Sequence, residues 1–224
     1  MEIGKVPEAV LKRAVFRQIH TRREEVLVGA GVGEDCATLQ LGPDEVFVLS
    51  TDPITGTDKN TGELAVQITA NDLASAGAEP VALLLTVLLP VTADEPMIRR
   101  LMKEVDEACE KLHIQVVGGH TEVTAVVNQP VISVTGIGKA KKGHLVTTGG
   151  AGIGDDVVAT KWIGIEGTSI IAREKEQELL ERFAAPFVEE AKNFDRFLSV
   201  VPDAAAAVKS GVTAMHDVTE GGIY

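Results

Sequence analysis

Residues 61–90 constrain the fold more than any other stretch of the chain. TGELAVQITANDLASAG (61–77) has the threonine start and glycine stop of a capped helix built from small apolar residues. VALLLTVLLP (81–90) follows as an uninterrupted apolar run, too short to span a bilayer and suited to a buried strand. Ile68, Leu73 and Ala76 flank Asn71 and Asp72 with apolar side chains, so the pair is expected inside the protein. An unpaired buried carboxylate is strongly destabilising, and Asp72 therefore needs a partner from elsewhere in the chain.

The elements around this pair alternate between helix and strand. PEAVLKRAVFRQIH (7–20) spaces Val10, Leu11, Ala14, Val15 and Ile19 as an amphipathic helix, with Pro7 fitting its first turn. EVFVLSTD (45–52) reads as a strand ending in an acid. ADEPMIRRLMKEVDEACEKLH (93–113) carries one apolar stripe from Ile98 to Leu112. IQVVGGHTEVT (114–124) predicts a strand entering a glycine turn, and PVISVTGIGKA (130–140) another strand. The glycine-, lysine- and threonine-rich KKGHLVTTGGAG (141–152) marks a domain junction, dividing the chain into units 1–144 and 145–224. In the second unit, GDDVVATKWIG (154–164) and VTAMHDVTEGG (212–222) read as strands. GTSIIAREKEQELLERF, FVEEAKNFDRFLS and PDAAAAVKS read as helices. About two strands and three helices suggest an incomplete second domain.

Composition removes several function classes. A formal charge of −12 repels phosphate backbones and argues against nucleic acid. Two cysteines, Cys36 and Cys109, are too few for a disulfide framework, and the N-terminus lacks a basic, apolar, cleavable leader. The expectation is a cytoplasmic protein without membrane association. A small phosphorylated ligand fits only where a cation or backbone N–H groups reverse the local sign.

Four segments place acids beside glycine-rich bends: GVGEDCA, LSTDP, ITANDLA and HDVTEGG. Carboxylates gathered at one edge of a sheet repel unless a divalent cation lies between them, and Mg²⁺ favours a few carboxylates plus substrate phosphates. Taken singly, Asp52 also reads as a turn or cap residue and Asp35 as loop solvation. VVGGHTE (116–122) reads either as a phosphate-wrapping turn, with Gly118, Gly119 and the Thr121 hydroxyl, or as an ordinary strand exit. DVTEGG (217–222) offers a similar anion site at a helix start. The familiar nucleotide fingerprints are absent: there is no G-x-x-x-x-G-K-[ST], and GAGVGE does not fit G-x-G-x-x-G.

In order, GVGEDCATL, STDPITG, ANDLASAGAEP, VVGGHTEVT and HDVTEGG resemble the AIR synthase (PurM) superfamily, from about residue 29 onward. That superfamily includes aminoimidazole ribonucleotide synthase, the hydrogenase maturation protein HypE, thiamine-monophosphate kinase and selenophosphate synthetase. The resemblance implies an α/β (α+β) fold: an N-terminal PurM-like domain whose mixed sheet forms a dimeric barrel with a second subunit, then a PurM C-terminal-type α/β domain. It implies a homodimer that binds ATP and Mg²⁺. Asp35, Asp52 and Asp72 would hold the metal. Asn71, Gly118, Gly119, His120, Thr121, Asp217, Thr219, Gly221 and Gly222 would line the nucleotide, with Asn71 supporting Asp72.

Two positions depart from the family pattern. Glu34 precedes Asp35 where many members have two aspartates, and His120 stands where its kinases tend to have aspartate. The motif order lies nearest HypE. The implied chemistry is phosphoryl transfer from ATP to an amide or carbamoyl oxygen, with a maturation protein as partner. The alternatives are a thiamine-monophosphate-kinase-like small-molecule kinase and a nucleotide-binding scaffold without turnover.

Overall fold

The computed structural model describes residues 3–31, 37–54, 60–219 and 223. Its centre is a five-stranded mixed sheet in the order β1 (Gly4–Lys5), β6 (Gln115–Val123), β5 (Glu79–Leu89), β7 (Val131–Lys141), β4 (Glu45–Ile54). A two-stranded ribbon, β2 (Val26–Val28) with β3 (Thr38–Leu39), stands apart. The apolar run centred on residues 81–90 becomes β5, hydrogen-bonded on both sides and buried at Val81, Ala82, Leu83, Leu85, Val87 and Leu89. β5 and β6 are parallel, and the crossover between them is α3 (Glu95–Leu112).

α3 buries Ile98, Leu101, Met102, Val105, Ala108 and Cys109, the stripe expected from spacing. Asp94 caps it, its carboxylate accepting the Met97 N–H at 2.8 Å, and His113 closes it in the left-handed conformation. Burial pushes the Cys109 thiol well above its ordinary range, which fits a packing role.

α2 (Thr61–Ser75) begins after Asn60, not with a threonine cap: Thr61 is its first residue and no side chain caps it. The Gly62 N–H instead donates to Glu104 of α3 at 3.1 Å. Its stop is the expected glycine. Gly77 is left-handed, and the Ala78 and Gly77 N–H groups donate to the Leu73 and Ala74 carbonyls at 3.0 and 2.9 Å. α2 lies against the sheet because β7 is bare beneath it: a Cβ on Gly136 would stand 2.4 Å from Thr69 Cγ2. Sheet and α3 then enclose most of the helix.

The 8–18 segment is helical but irregular, α1 (Glu8–Val10) passing into a π turn over Leu11–Val15 and a 3₁₀ turn over Phe16–Gln18. The chain beyond it is pinned by ion pairs. Arg23 donates to Glu25 at 2.9 and 2.8 Å, to Glu79 at 2.6 Å and to the His113 carbonyl at 3.2 Å, while Lys139 pairs with Glu25. These bonds, the Arg23 guanidinium first, hold the Glu25 carboxyl down at about 2.

After residue 144 the helices arrive and the strands do not. α4 (Ile165–Glu174) and α5 (Glu176–Leu180) divide one expected helix at Lys175. α6 (Ala185–Lys192) continues into a 3₁₀ turn over Asn193–Phe197, and α7 (Val201–Ser210) ends at left-handed Gly211. Residues 154–164 and the described part of 212–222 are not strands. A strand is held by its neighbour, and neither segment has one among the described residues. Val157 is accordingly 99% exposed. No helix among the described residues is long and apolar enough to cross a membrane.

Candidate functional site

Asp72 finds its partner on β4. Ser50 and Asp52 alternate onto the face that carries α2, and Ser50 stands opposite Gly136, the bare position over which Thr69 passes. Asp72, one turn beyond Thr69, comes down beside Ser50. The Ser50 hydroxyl bonds to Asp72 Oδ2 and lies 3.3 Å from Asp52 Oδ2. Ser50 is not among the residues expected here, though its place two residues before Asp52 in a strand puts it on the same face.

Asp217, from the far end of the chain, acts on Asp72 through its charge. Thr213 Oγ1 donates to Asp155 Oδ2 at 2.6 Å and Thr148 Oγ1 to the Met215 carbonyl at 3.5 Å, tying this segment to residues 148–155. The Asp217 side chain is largely buried, and its charge reaches Asp72. Burial raises the Asp72 pKa to about 7; Asp52 and Asp217 push it the same way, and the Ser50 hydroxyl opposes them. Mutual repulsion of this kind is relieved by a divalent cation, so the residues present fit one. Among the described residues no three His, Cys, Asp or Glu side chains form a closed metal-binding group. Asp35, Gly221 and Gly222 lie outside the described residues.

Asn71 answers a different need from the one expected. Its Nδ2 donates to the Leu198 carbonyl at 2.9 Å and its Oδ1 accepts the Val200 N–H at 2.8 Å. Both halves of the amide therefore hold the backbone that leads into α7, and Asp72 gains no hydrogen bond from it. The amide at 71 ties the two halves of the chain together, while the acid at 72 faces the sheet.

The glycine pair on β6 is also corrected. Gly118 and Gly119 lie inside the strand, not in a turn, opposite Leu84 and Leu85 after a bulge at Val117. A Cβ on Gly119, whose φ is 143°, would stand 2.0 Å from the Leu85 carbonyl oxygen. Close approach of two strands is what requires glycine there. Thr121 is buried. His120 bonds to Glu122 at 3.0 Å and belongs to the cross-strand row His120, Thr86, Ser133, Pro53. The row containing Asp52 passes through Val134 and Leu85 to Gly119 and faces the helices. His120 and Asp52 thus occupy opposite faces, three strand spacings or about 14 Å apart across the sheet. No hydrogen bond or ion pair joins the β6 set to Asp52 or Asp72 among the described residues. Thr219 lies in the irregular segment after α7.

The family model for the AIR synthase related protein N-terminal domain matches residues 33–140, and that for its C-terminal domain matches residues 152–224. A putative hydrogenase expression/formation protein of Methanocaldococcus jannaschii is 27% identical over 98% of this chain and 64% of its own length. Carbamoyl dehydratase HypE of Cupriavidus necator is 27% identical over 85% of this chain and 54% of its own. The chain therefore spans about half to two thirds of the length of these relatives.

Among solved structures, HypE in complex with ATP superimposes with a TM-score of 0.66 at 23% identity, over 77% of this chain and 51% of that one. Thiamine-monophosphate kinase from Stenotrophomonas maltophilia gives 0.71 at 22% identity, over 93% and 66%. A HypE–HypF complex gives 0.54 at 26% identity, over 58% and 45%.

Proposed function

This chain belongs to the AIR synthase related family, and we propose that it binds ATP with Mg²⁺ and activates an amide or carbamoyl oxygen by phosphoryl transfer. The observation that carries the reading is the carboxylate cluster: Asp52 and Asp72 joined through Ser50, with Asp217 in electrostatic reach. Two carboxylates held together through Ser50, with the charge of a third in reach, would be relieved by a cation, and a cation in turn recruits phosphate oxygens. When bound, the Mg²⁺–ATP complex supplies charge neutralisation and the phosphoryl group.

The chain's own contribution is positioning. Ser50 fixes both carboxylates relative to each other, α2 carries Asp72 to them, and Asn71 holds the segment between α6 and α7 against α2. Asp35 is assigned to the same cation from the sequence pattern, as are Thr219, Gly221 and Gly222 to the nucleotide. A phosphorylated carbonyl oxygen becomes a good leaving group, and no side-chain nucleophile is required.

The reading includes a homodimer. β4 is an edge strand, and its face away from α2 exposes Phe47 and, at 66%, Leu49. A second copy packing there would cover that face and the polar row containing His120, and would protect the open edge. HypE is a carbamoyl dehydratase by name and is found in complex with HypF. A carbamoyl-carrying maturation protein is accordingly the partner class we assign.

The kinase reading rests on the thiamine-monophosphate kinase superposition. Phosphate release from ATP with amide substrates supports the first reading, and a stable phosphorylated product the second. Calorimetry of ATP with and without Mg²⁺, beside those assays, tests both. ATP affinity that is independent of Mg²⁺ and unchanged in Asp72→Ala overturns the site; Mg²⁺-dependent binding without turnover identifies a scaffold.

A further inference from the structure

At the edge of the sheet opposite β4, a cavity of about 390 Å³ opens between the first helical segment, residues 22–30 and the start of β6. The volume falls in the range of small-molecule sites. Phe16, Ile19, Val26 and Val116 give it apolar walls. Three polar side chains, Arg22, Arg23 and Gln115, line it, and all three carry hydrogen-bond donors.

Gln115 is only 5% exposed, and its Oε1 accepts the Arg23 N–H at 2.8 Å. That bond fixes the amide orientation and leaves Nε2 as the other terminus, with no acceptor among the described residues. Nε2 lies beside cavity-lining Gly29, where a Cβ would stand 2.9 Å from it, and is free to donate to a molecule in the cavity. Arg22 uses Nη1 on the Ile19 and Thr21 carbonyls, both at 3.1 Å, and no carboxylate among the described residues pairs with it. Arg23 next to it is fully matched by Glu25 and Glu79. In a chain of formal charge −12, a guanidinium and an amide donor lining one cavity, neither paired with a carboxylate among the described residues, suit an anion.

We infer that this cavity binds a small carboxylate with an apolar body. The carboxylate would bridge the Arg22 guanidinium and the Gln115 amide, with its body against Phe16 and Ile19. Guanidinium and amide present planar donors that suit a carboxylate's two oxygens. This site is separate from Asp52 and Asp72, and the inference stands whether or not the nucleotide reading does.

The test uses 2-naphthoate as probe, with its neutral isostere 2-naphthamide and 2-naphthyl phosphate as controls. Calorimetry reads affinity, and the Gln115 side-chain amide resonance in a ¹⁵N-correlated spectrum reads location. Saturable one-site binding of naphthoate is expected, moving the Gln115 Nε2 resonance, with naphthamide at least about tenfold weaker. Arg22→Gln, at an exposed position, should cost about tenfold, and Gln115→Glu, which keeps the acceptor for Arg23 but replaces the donor with a charge, should abolish binding. Equal binding of the amide, full binding by Arg22→Gln, preference for the phosphate, absence of saturation, or displacement by ATP would each overturn the assignment.

Discussion

Asp72→Asn should make the protein more stable at pH 8, by an amount the site's geometry sets. The Asp72 pKa rises from the ordinary 3.8 to about 7, chiefly through burial. Roughly three pH units at 1.36 kcal/mol each give a ceiling of about 4 kcal/mol, and partial exposure reduces this to about 2 kcal/mol. Between pH 4 and 7 the folded chain keeps a proton that the unfolded chain has lost. Stability therefore falls as pH rises through that window and is flat above it. The amide introduced by the substitution would still accept from Ser50 and would offer Asp52 an N–H in place of a negative charge. Thermal denaturation of both proteins from pH 4 to 8 is the assay. The wild type should lose stability across the window, the variant should not, and the difference at pH 8 should raise the midpoint temperature by about 4–8 °C. Mg²⁺ should recover the wild type at pH 8 and leave the variant unmoved. Parallel pH profiles, or a variant less stable at pH 8, would refute the repulsive cluster.

Ser50→Ala should lower Mg²⁺ affinity about tenfold in calorimetry, with Ser50→Thr retaining it, because the hydroxyl lies between the two carboxylates and bonds to Asp72. Asn71→Ala leaves the Leu198 carbonyl and Val200 N–H without their partner and should cost about 2 kcal/mol or more. Urea unfolding followed by circular dichroism checks that loss. Gly119→Ala must part β6 from β5 and should destabilise by about 3 kcal/mol, read by urea unfolding. For Glu25, held at about 2, the stabilisation is present above the ordinary 4.5 and lost as pH falls through the folded value. Glu25→Gln should flatten the circular-dichroism acid-unfolding profile in that window.

The elements most legible in the sequence were those whose burial pattern is local. β5 announces itself because its apolar run is nearly unbroken and mostly buried, and α3 because its stripe repeats along one segment. Asp52, Asp72 and Asp217 could be singled out for a related reason: each is an acid next to apolar or glycine-rich sequence. What stayed hidden depends on register and on remote partners. That Ser50 joins two of those acids follows from Ser50 standing opposite Gly136, a pairing between residues 86 apart that no local pattern encodes. The Arg23, Glu25, Glu79 and Lys139 network is hidden for the same reason, as its members come from three separate segments.

The strand expected at 154–164, and the described part of the one expected at 212–222, show the complementary failure. Alternating or apolar sequence states only that a segment is able to pair, and pairing needs a neighbour that periodicity cannot supply. The glycine pair at 118–119 failed differently, since two adjacent glycines suit a turn and a close strand approach equally, and only the carbonyl of Leu85 decides between them. The Asn71–Asp72 pair unites both lessons. Local sequence showed that two polar residues enter the interior together, but their opposite uses follow from helix geometry: adjacent residues point about 100° apart. One side chain therefore meets the backbone before α7 while the next meets β4. A helix enclosed on several sides can thus pass a structural tie and an acid cluster through neighbouring residues, and its close seat over Gly136 is what lets both reach.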